Sequence, residues 1–182
     1  SEDLGTLTIT ASTKELKVVS KDGEWTYDGN AHTKYEYTVT YGDETYEVTI
    51  AEGETTGTAK LSTGDVVTIT PAAAATITHV AESDVTNAFS YTVDHSDQYA
   101  NQAKEEGALS VTPATLTITT GTASKEYDGT ALTAAGSISG FVTPEGGEQE
   151  TATFEVTGSQ TEVGNSKNTY TLTWDGTAVE SD

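Results

Sequence analysis

Residues 7–10 and residues 116–119 both read Leu-Thr-Ile-Thr, and each run precedes a Tyr-Asp-Gly triplet, at residues 27–29 and 127–129. The two runs lie 109 residues apart, whereas the two triplets lie 100 residues apart. This spacing predicts a repeated module whose first copy carries about nine additional residues between the two marks. Serial modules commonly differ in loop length, so the pattern favours a tandem array over a single-site enzyme.

The repeat divides the 182 residues into two parts. We predict a first module at residues 1–114 and a second module at residues 115–182, each large enough for a modest core. Residues 1–10 resemble the closing segment of a preceding copy, and the alternative is that they form the first strand of the first module. The second copy stops where the first still continues, so we expect the second module to lack its last strand.

The side chains alternate as they do in half-buried strands. Threonine makes up about a fifth of the chain and recurs between valine, isoleucine and tyrosine. Residues 35–41 and 46–50, with a Gly-Asp turn between them, are typical of a β-hairpin. We therefore predict an all-β fold of two tandem β-sandwich (Ig-like) modules. Residues 97–107 contain good helix formers before a glycine, which leaves a β-grasp-like fold with one short helix there as an alternative.

The charge balance excludes several kinds of partner. The chain has 29 acidic residues against eight lysines and no arginine, and its formal net charge is −21. A field of this sign repels nucleic acid and anionic lipid surfaces. No apolar run is long enough to span a membrane, so we expect no membrane insertion by this segment. Cysteine and methionine are both absent, which leaves no disulfides, thiolates or soft metal ligands.

The recurring triplets are interpreted as structural turns. In such a turn an aspartate accepts a hydrogen bond from the backbone ahead, a glycine adopts positive φ, and the tyrosine packs underneath. The turn residues are Tyr27, Asp28 and Gly29 in the first copy and Tyr127, Asp128 and Gly129 in the second.

No residue pattern indicates catalysis. The three histidines, His32, His79 and His95, all lie in the first copy and in no recognisable motif. The acidic turns lack the alternating spacing of a calcium loop, so we expect no metal site and no cofactor. Lys17, Lys21, Asn165 and Gln160 could supply an intramolecular amide or ester crosslink, although no spacing singles out a pair.

Aromatic residues of the first copy suggest an alternative function. Trp25, Tyr35, Tyr37 and Tyr41 could form a platform on which sugar rings stack, as in a carbohydrate-binding module for glycans or mucins. The tryptophans occupy different places in the two copies, whereas a ligand site inherited by repetition would recur.

Residues 116–132 and 157–165 resemble the tandem Tyr-Asp-Gly (MBG-like) repeats of Gram-positive bacterial surface proteins. The first copy matches more loosely, at residues 7–10, 27–29 and 85–93. The resemblance implies a secreted, cell-wall-associated protein in which such modules form a non-catalytic stalk or an adhesive region. Its expected partners are host or environmental glycans or proteins. A copy with a missing edge strand could also accept a strand from another molecule, which predicts head-to-tail strand exchange.

Overall fold

A computed structural model describes residues 3–182 and shows an all-β protein. Its strands are β1 (Ser12–Ser20), β2 (Gly23–Thr26), β3 (Glu36–Tyr41), β4 (Glu44–Thr49), β5 (Gly57–Lys60), β6 (Val66–Pro71), β7 (Val85–Asn87), β8 (Phe89–Val93), β9 (Tyr99–Glu105), β10 (Gly107–Thr112), β11 (Thr117–Thr120), β12 (Gly136–Ser139), β13 (Thr153–Val156) and β14 (Tyr170–Thr173). Short 3-10 helices cover Val80–Glu82 and Ser96–Gln98. The predicted all-β class is confirmed.

The chain forms two compact units. Unit 1 contains residues up to 24, 31–77 and 82–110, and unit 2 contains residues 25–30, 78–81 and 111–182. The second unit therefore includes the first Tyr-Asp-Gly triplet as well as the whole C-terminal part of the chain.

Unit 1 holds the hydrophobic core. Two of its sheets have the strand orders β4-β3-β1-β9 and β5-β6-β8. In a further sheet of the chain, β10 lies between β2 and β7. Strand alternation places the apolar residues of the first two sheets in one cluster, in which Leu16, Val18, Tyr37, Val39, Val67 and Ile69 are completely buried. Burial of these side chains supplies the main stabilising term of unit 1.

The predicted hairpin is confirmed. Strands β3 and β4 pair from Glu36 opposite Thr49 to Tyr41 opposite Glu44. Gly42 turns the chain with a φ of 59°, in the left-handed region that glycine adopts without a steric penalty.

The helix considered for residues 97–107 is wrong. Apart from the 3-10 turn at Ser96–Gln98, this segment is strand β9, which pairs in parallel with β1, followed by the start of β10. The Tyr99 ring is 4% exposed and meets the Tyr41 ring edge to face at 5.5 Å. Pairing with β1 and burial of Tyr99 outweigh the local helix preference, because tertiary context overrides propensity. The β-grasp-like alternative with a helix there loses its basis.

Unit 2 has a smaller set of strands. Strand β11 pairs antiparallel with β12, and β13 pairs antiparallel with β14. Its buried apolar residues among those described are Tyr27, Val111 and Ala178. Leu116 and Ile118, which face inward from the β11 region, stay half-buried, whereas Leu16 and Val18 of β1 are 0% exposed. An open sheet edge accounts for the difference, since β11 pairs with one strand and β1 with two.

Three contacts recur in the two copies, and the residues on their N-terminal side lie 100 positions apart in the two copies. Asn87 Nδ2 donates to the carbonyls of Lys21 and Lys34, at 2.8 and 2.9 Å. Asn168 Nδ2, 81 residues later, donates at 3.0 and 3.2 Å to the carbonyls of Gly121 and Ala134, which lie 100 residues after Lys21 and Lys34. A β-bridge at His32 is likewise repeated at Leu132.

This offset corrects the repeat alignment. Leu116 corresponds to Leu16 of strand β1, so residues 7–10 are not the counterpart of residues 116–119. Leu7 is 100% exposed and Ile9 is 94% exposed, and no strand covers residues 3–11. The alternative in which residues 1–10 form the first strand of the first module therefore fails for the described residues 3–10. Residues 7–10 are identical in sequence to residues 116–119, but the structural counterpart of residues 116–119 is the Leu-Lys-Val-Val run at residues 16–19 of β1.

The equivalent leucines provide a stability test. Leu16→Ala should lower the free energy of unfolding by about 3 kcal/mol, because it leaves a cavity in a closed core. Leu116→Ala should cost about 1 kcal/mol, since that site is already partly exposed to solvent. Urea unfolding of both variants measures the two values. Equal losses would contradict the difference in burial.

Candidate functional site

The two Tyr-Asp-Gly turns have the same backbone structure. Asp28 Oδ1 accepts a hydrogen bond from the Asn30 amide at 2.9 Å, and Asp128 Oδ1 accepts one from the Thr130 amide at 2.9 Å. The central glycines have φ values of 76° and 75°. The Lys125 ammonium and then Thr130 hydrogen-bond the Asp128 carboxylate, which holds its pKa well below its usual range.

The tyrosines of these turns differ in environment. Tyr27 is 5% exposed, its hydroxyl donates to Glu150 Oε1 at 2.5 Å, and its ring stacks on His79 at 5.7 Å. Burial, followed by the neighbouring Glu150 carboxylate, raises the Tyr27 pKa. Tyr127 is 63% exposed. The turn is thus repeated, but the packing of its tyrosine is not.

His79 and Asp182 complete a polar cluster around Tyr27 in unit 2. His79 Nδ1 lies 2.6 Å from Asp182 Oδ2, and the Val80 amide donates to Asp182 Oδ1 at 3.0 Å. The Ala114 amide donates to the Asp182 backbone oxygen. These contacts tie three segments of unit 2 together. A tyrosine with a raised pKa is a poor general base at neutral pH, so Tyr27 contributes to this cluster through its hydrogen bond to Glu150 and its ring contact with His79.

A small cavity of about 230 Å³ adjoins the cluster. Tyr27, Glu150, Phe141, Leu172 and Trp174 contribute to its wall. The half-buried Trp174 belongs to this cavity. Its volume is below the range usual for small-molecule sites, about 300 to 1,000 Å³.

The proposed sugar-stacking residues do not form one exposed row. Tyr37 is 0% exposed and Tyr41 is 4% exposed, because both face the core from strand β3. Burial raises the Tyr37 pKa to about 12. Trp25 and Tyr35 are half-buried. A ring needs an open face to stack on a sugar, so Tyr37 and Tyr41 are unavailable for that purpose in this structure.

The crosslink candidates have other contacts. The Lys17 ammonium pairs with Glu105, and the Lys21 ammonium pairs with Glu47 at 2.6 Å. Gln160 Nε2 donates to the Glu162 carbonyl at 2.8 Å, and Asn165 is exposed. None of these contacts brings a lysine ammonium to a carboxamide carbon.

Unit 2 also contains a larger groove. Its volume is about 780 Å³, and its walls are residues 120–127, 132–134 and 158–168. Two of its wall segments, 123–126 and 166–168, have no assigned strand structure. Neither of these two wall segments is therefore paired in a sheet among the described residues.

The sequence did not predict the role of two asparagines, the buried Asn87 and the half-buried Asn168. The structure makes Asn168 the equivalent of Asn87 by the shared carbonyl partners described above. Both side chains leave Oδ1 without a hydrogen-bond partner among the described residues. A signal was present, since each asparagine precedes an aromatic residue by two positions, at Phe89 and Tyr170.

Comparison with protein-family models, with curated proteins and with solved structures gave no match. Within residues 3–182, no helix has the length and apolar character needed to cross a membrane. The same residues contain no group of three or more histidine, aspartate or glutamate side chains arranged to hold a metal ion.

The two turn tyrosines give a matched pair of variants. Tyr27→Phe should lower the free energy of unfolding by about 1 to 2 kcal/mol, because it removes a buried hydrogen bond to a carboxylate. Tyr127→Phe should leave stability unchanged. Because the Tyr27 pKa is raised, native stability should fall as pH rises above about 10, and Tyr27→Phe should reduce that fall. Denaturation from pH 7 to pH 11 measures both effects, and identical behaviour of the two variants would refute the account.

The repeated asparagine gives a second test. Asn87→Asp would direct a carboxylate at two carbonyl oxygens, so the folded state should raise the pKa of the new acid. Stability should then fall as pH rises above about 4, with a loss of about 3 kcal/mol at pH 7. The exposed Asn165→Asp serves as the control and should change little. Stability of Asn87→Asp that does not depend on pH would contradict the bonding described here.

Proposed function

We propose that this chain is a non-catalytic stalk segment of a secreted, cell-wall-associated bacterial surface protein. The proposal rests on the observation that the features shared by the two copies are structural. A turn, a β-bridge and an asparagine that bonds two carbonyls recur, and all three serve the backbone scaffold. The polar cluster around Tyr27 and the histidines do not recur. Repetition of a scaffold without a repeated site favours a role in length and spacing.

The finer architecture belongs to the same proposal. We assign the modules to the Ig-like β-sandwich class. Support comes from unit 1, where strands of the β4-β3-β1-β9 sheet and the β5-β6-β8 sheet contribute to one hydrophobic cluster. Alternating inward residues on two sheets are the general feature of such sandwiches.

The surface chemistry is consistent with an extracellular stalk. A net charge of −21 keeps neighbouring copies apart and soluble. The absence of cysteine leaves stability to packing and backbone pairing. Glycan binding is not proposed as a second function, because two of its four candidate rings are buried.

The stalk proposal predicts that reach increases with copy number. One, two or four copies of the 182-residue segment would be placed between a cell-wall anchor and a terminal epitope tag. Immunoelectron microscopy would measure the distance of the tag from the wall. The distance should grow in equal increments, and it should exceed that of a Gly/Ser linker of the same length, because a folded module resists collapse.

Two outcomes would overturn the proposal. A tag distance that does not change with copy number would contradict a spacer role. Saturable binding of the isolated segment to a glycan or mucin array, lost in Trp25→Ala, would assign the segment to a binding function instead.

A further inference from the structure

We propose that the groove of unit 2 accepts residues 5–10 of a second copy of this chain as an added β-strand. The proposal concerns an interaction surface and holds whether or not the segment serves as a stalk. Its basis is that the first copy of the repeat has strand β10 in the equivalent place, and that residues 5–10, a sequence of the same kind, are exposed.

Strand β10 shows what closes a module. It pairs antiparallel with β7, with Gly107 opposite Asn87 and Leu109 opposite Val85. The Gly107 amide donates to Ser20 Oγ at 2.9 Å, and the Ala108 amide donates to Asp22 Oδ1 at 2.8 Å. Leu109 is 0% exposed and Val111 is 3% exposed. The strand therefore satisfies backbone groups and buries two apolar side chains at once.

Unit 2 has the two walls of this arrangement without the strand between them. The offset of 100 residues makes residues 123–126 the counterpart of β2, and the Asn168 contacts make residues 166–168 the counterpart of β7. Neither segment is in a strand, and both line the groove of about 780 Å³. A sheet edge with open backbone groups is a template for a further strand.

Residues 5–10 match β10 position by position. They read Gly-Thr-Leu-Thr-Ile-Thr, and residues 107–112 read Gly-Ala-Leu-Ser-Val-Thr. Leu7 and Ile9 correspond to the buried Leu109 and Val111, yet they are 100% and 94% exposed. The segment thus has the apolar alternation of an inward-facing strand, but its apolar side chains are exposed to solvent.

Residues 5–10 and 107–112 both begin with a glycine, and at Gly107 this glycine is required sterically. A Cβ at Gly107 would lie 2.7 Å from the Ser20 carbonyl oxygen, too close for any side chain. Gly5 has open space around it in this structure. A glycine is therefore required where the strand enters the site, and residues 5–10 supply it at the corresponding position.

Charge also favours this occupant. A second copy carries a net charge of −21, but residues 5–10 contain no charged side chain. The groove walls carry two lysines, Lys125 and Lys167, and two glutamates, Glu126 and Glu162, so they have no excess of negative charge. The segment can therefore enter without bringing like charges into contact, and backbone hydrogen bonds would provide most of the affinity, as in other cases of β-strand addition.

The proposed register follows from β10 and β7. Gly5 of one copy lies opposite Asn168 of the other, Thr6 lies opposite Lys167, and Leu7 lies opposite Ser166. Paired residues of antiparallel strands have Cα atoms about 4.5 to 5.5 Å apart, within the span of a disulfide. Neighbouring residues on one strand point to opposite faces of the sheet.

Disulfide trapping tests this register, because the chain has no native cysteine. Thr6→Cys protein would be mixed with differently tagged Lys167→Cys protein and oxidised. Each copy has one thiol, so any product that carries both tags is intermolecular. We expect this product in at least about tenfold excess over that from Thr6→Cys mixed with Ser166→Cys, whose thiol points to the other face. Equal yields from the two mixtures, or no mixed product, would overturn the proposal.

Sedimentation equilibrium provides a matched second measurement. Leu7→Ser with Ile9→Ser removes the two inward apolar side chains and should weaken self-association at least about tenfold. Thr8→Ser with Thr10→Ser keeps both apolar side chains and should associate as the unaltered chain does. All four positions are exposed, so neither variant disturbs the folded units. Association unaffected by the first variant, or a chain that is monomeric at all concentrations, would refute strand addition.

Discussion

Strand β10, whose residues 107–110 belong to unit 1, is the constraint on which the core of that unit depends. It lies between β2 and β7, where its backbone pairs with β7 and its side chains complete the buried surface. An unpaired backbone group inside a protein costs about as much as a lost hydrogen bond, so a module must cover this position. Where it is covered, Asn87 and Leu109 are completely buried. Where it is open, in unit 2, the flanking segments 123–126 and 166–167 form no strand and are exposed.

The buried asparagine links this constraint to the Tyr-Asp-Gly turn. Asn87 holds two carbonyls that lie on either side of the first turn, at Lys21 and Lys34. Its equivalent, Asn168, does the same around the second turn. A side-chain amide that bonds two backbone carbonyls fixes their separation, which explains why the turn geometry is reproduced although the tyrosines have different surroundings. The unpartnered Oδ1 atoms are the cost of this arrangement.

Much of the strand content follows from the sequence, because alternation of apolar and polar residues reports the face of each strand directly. The β3-β4 hairpin and strands β6 and β8 were predictable in this way. Strand β9 was not, since Ala100, Gln102 and Lys104 favour a helix locally and only parallel pairing with β1 overrides them. Of the candidate sites, the turns were predictable because aspartate and glycine encode them locally. The role of Asn87 depends on carbonyls more than fifty residues away and has no local signature.

The most direct test of the account measures amide hydrogen exchange at residues 166–168 as the chain concentration is raised. Residues 85–87, which already pair with β10, serve as the internal reference. The account predicts that protection at 166–168 rises with concentration toward that of the reference, while protection at 85–87 stays constant. Exchange at 166–168 that does not change with concentration would contradict the claim that this edge accepts a strand from a second copy.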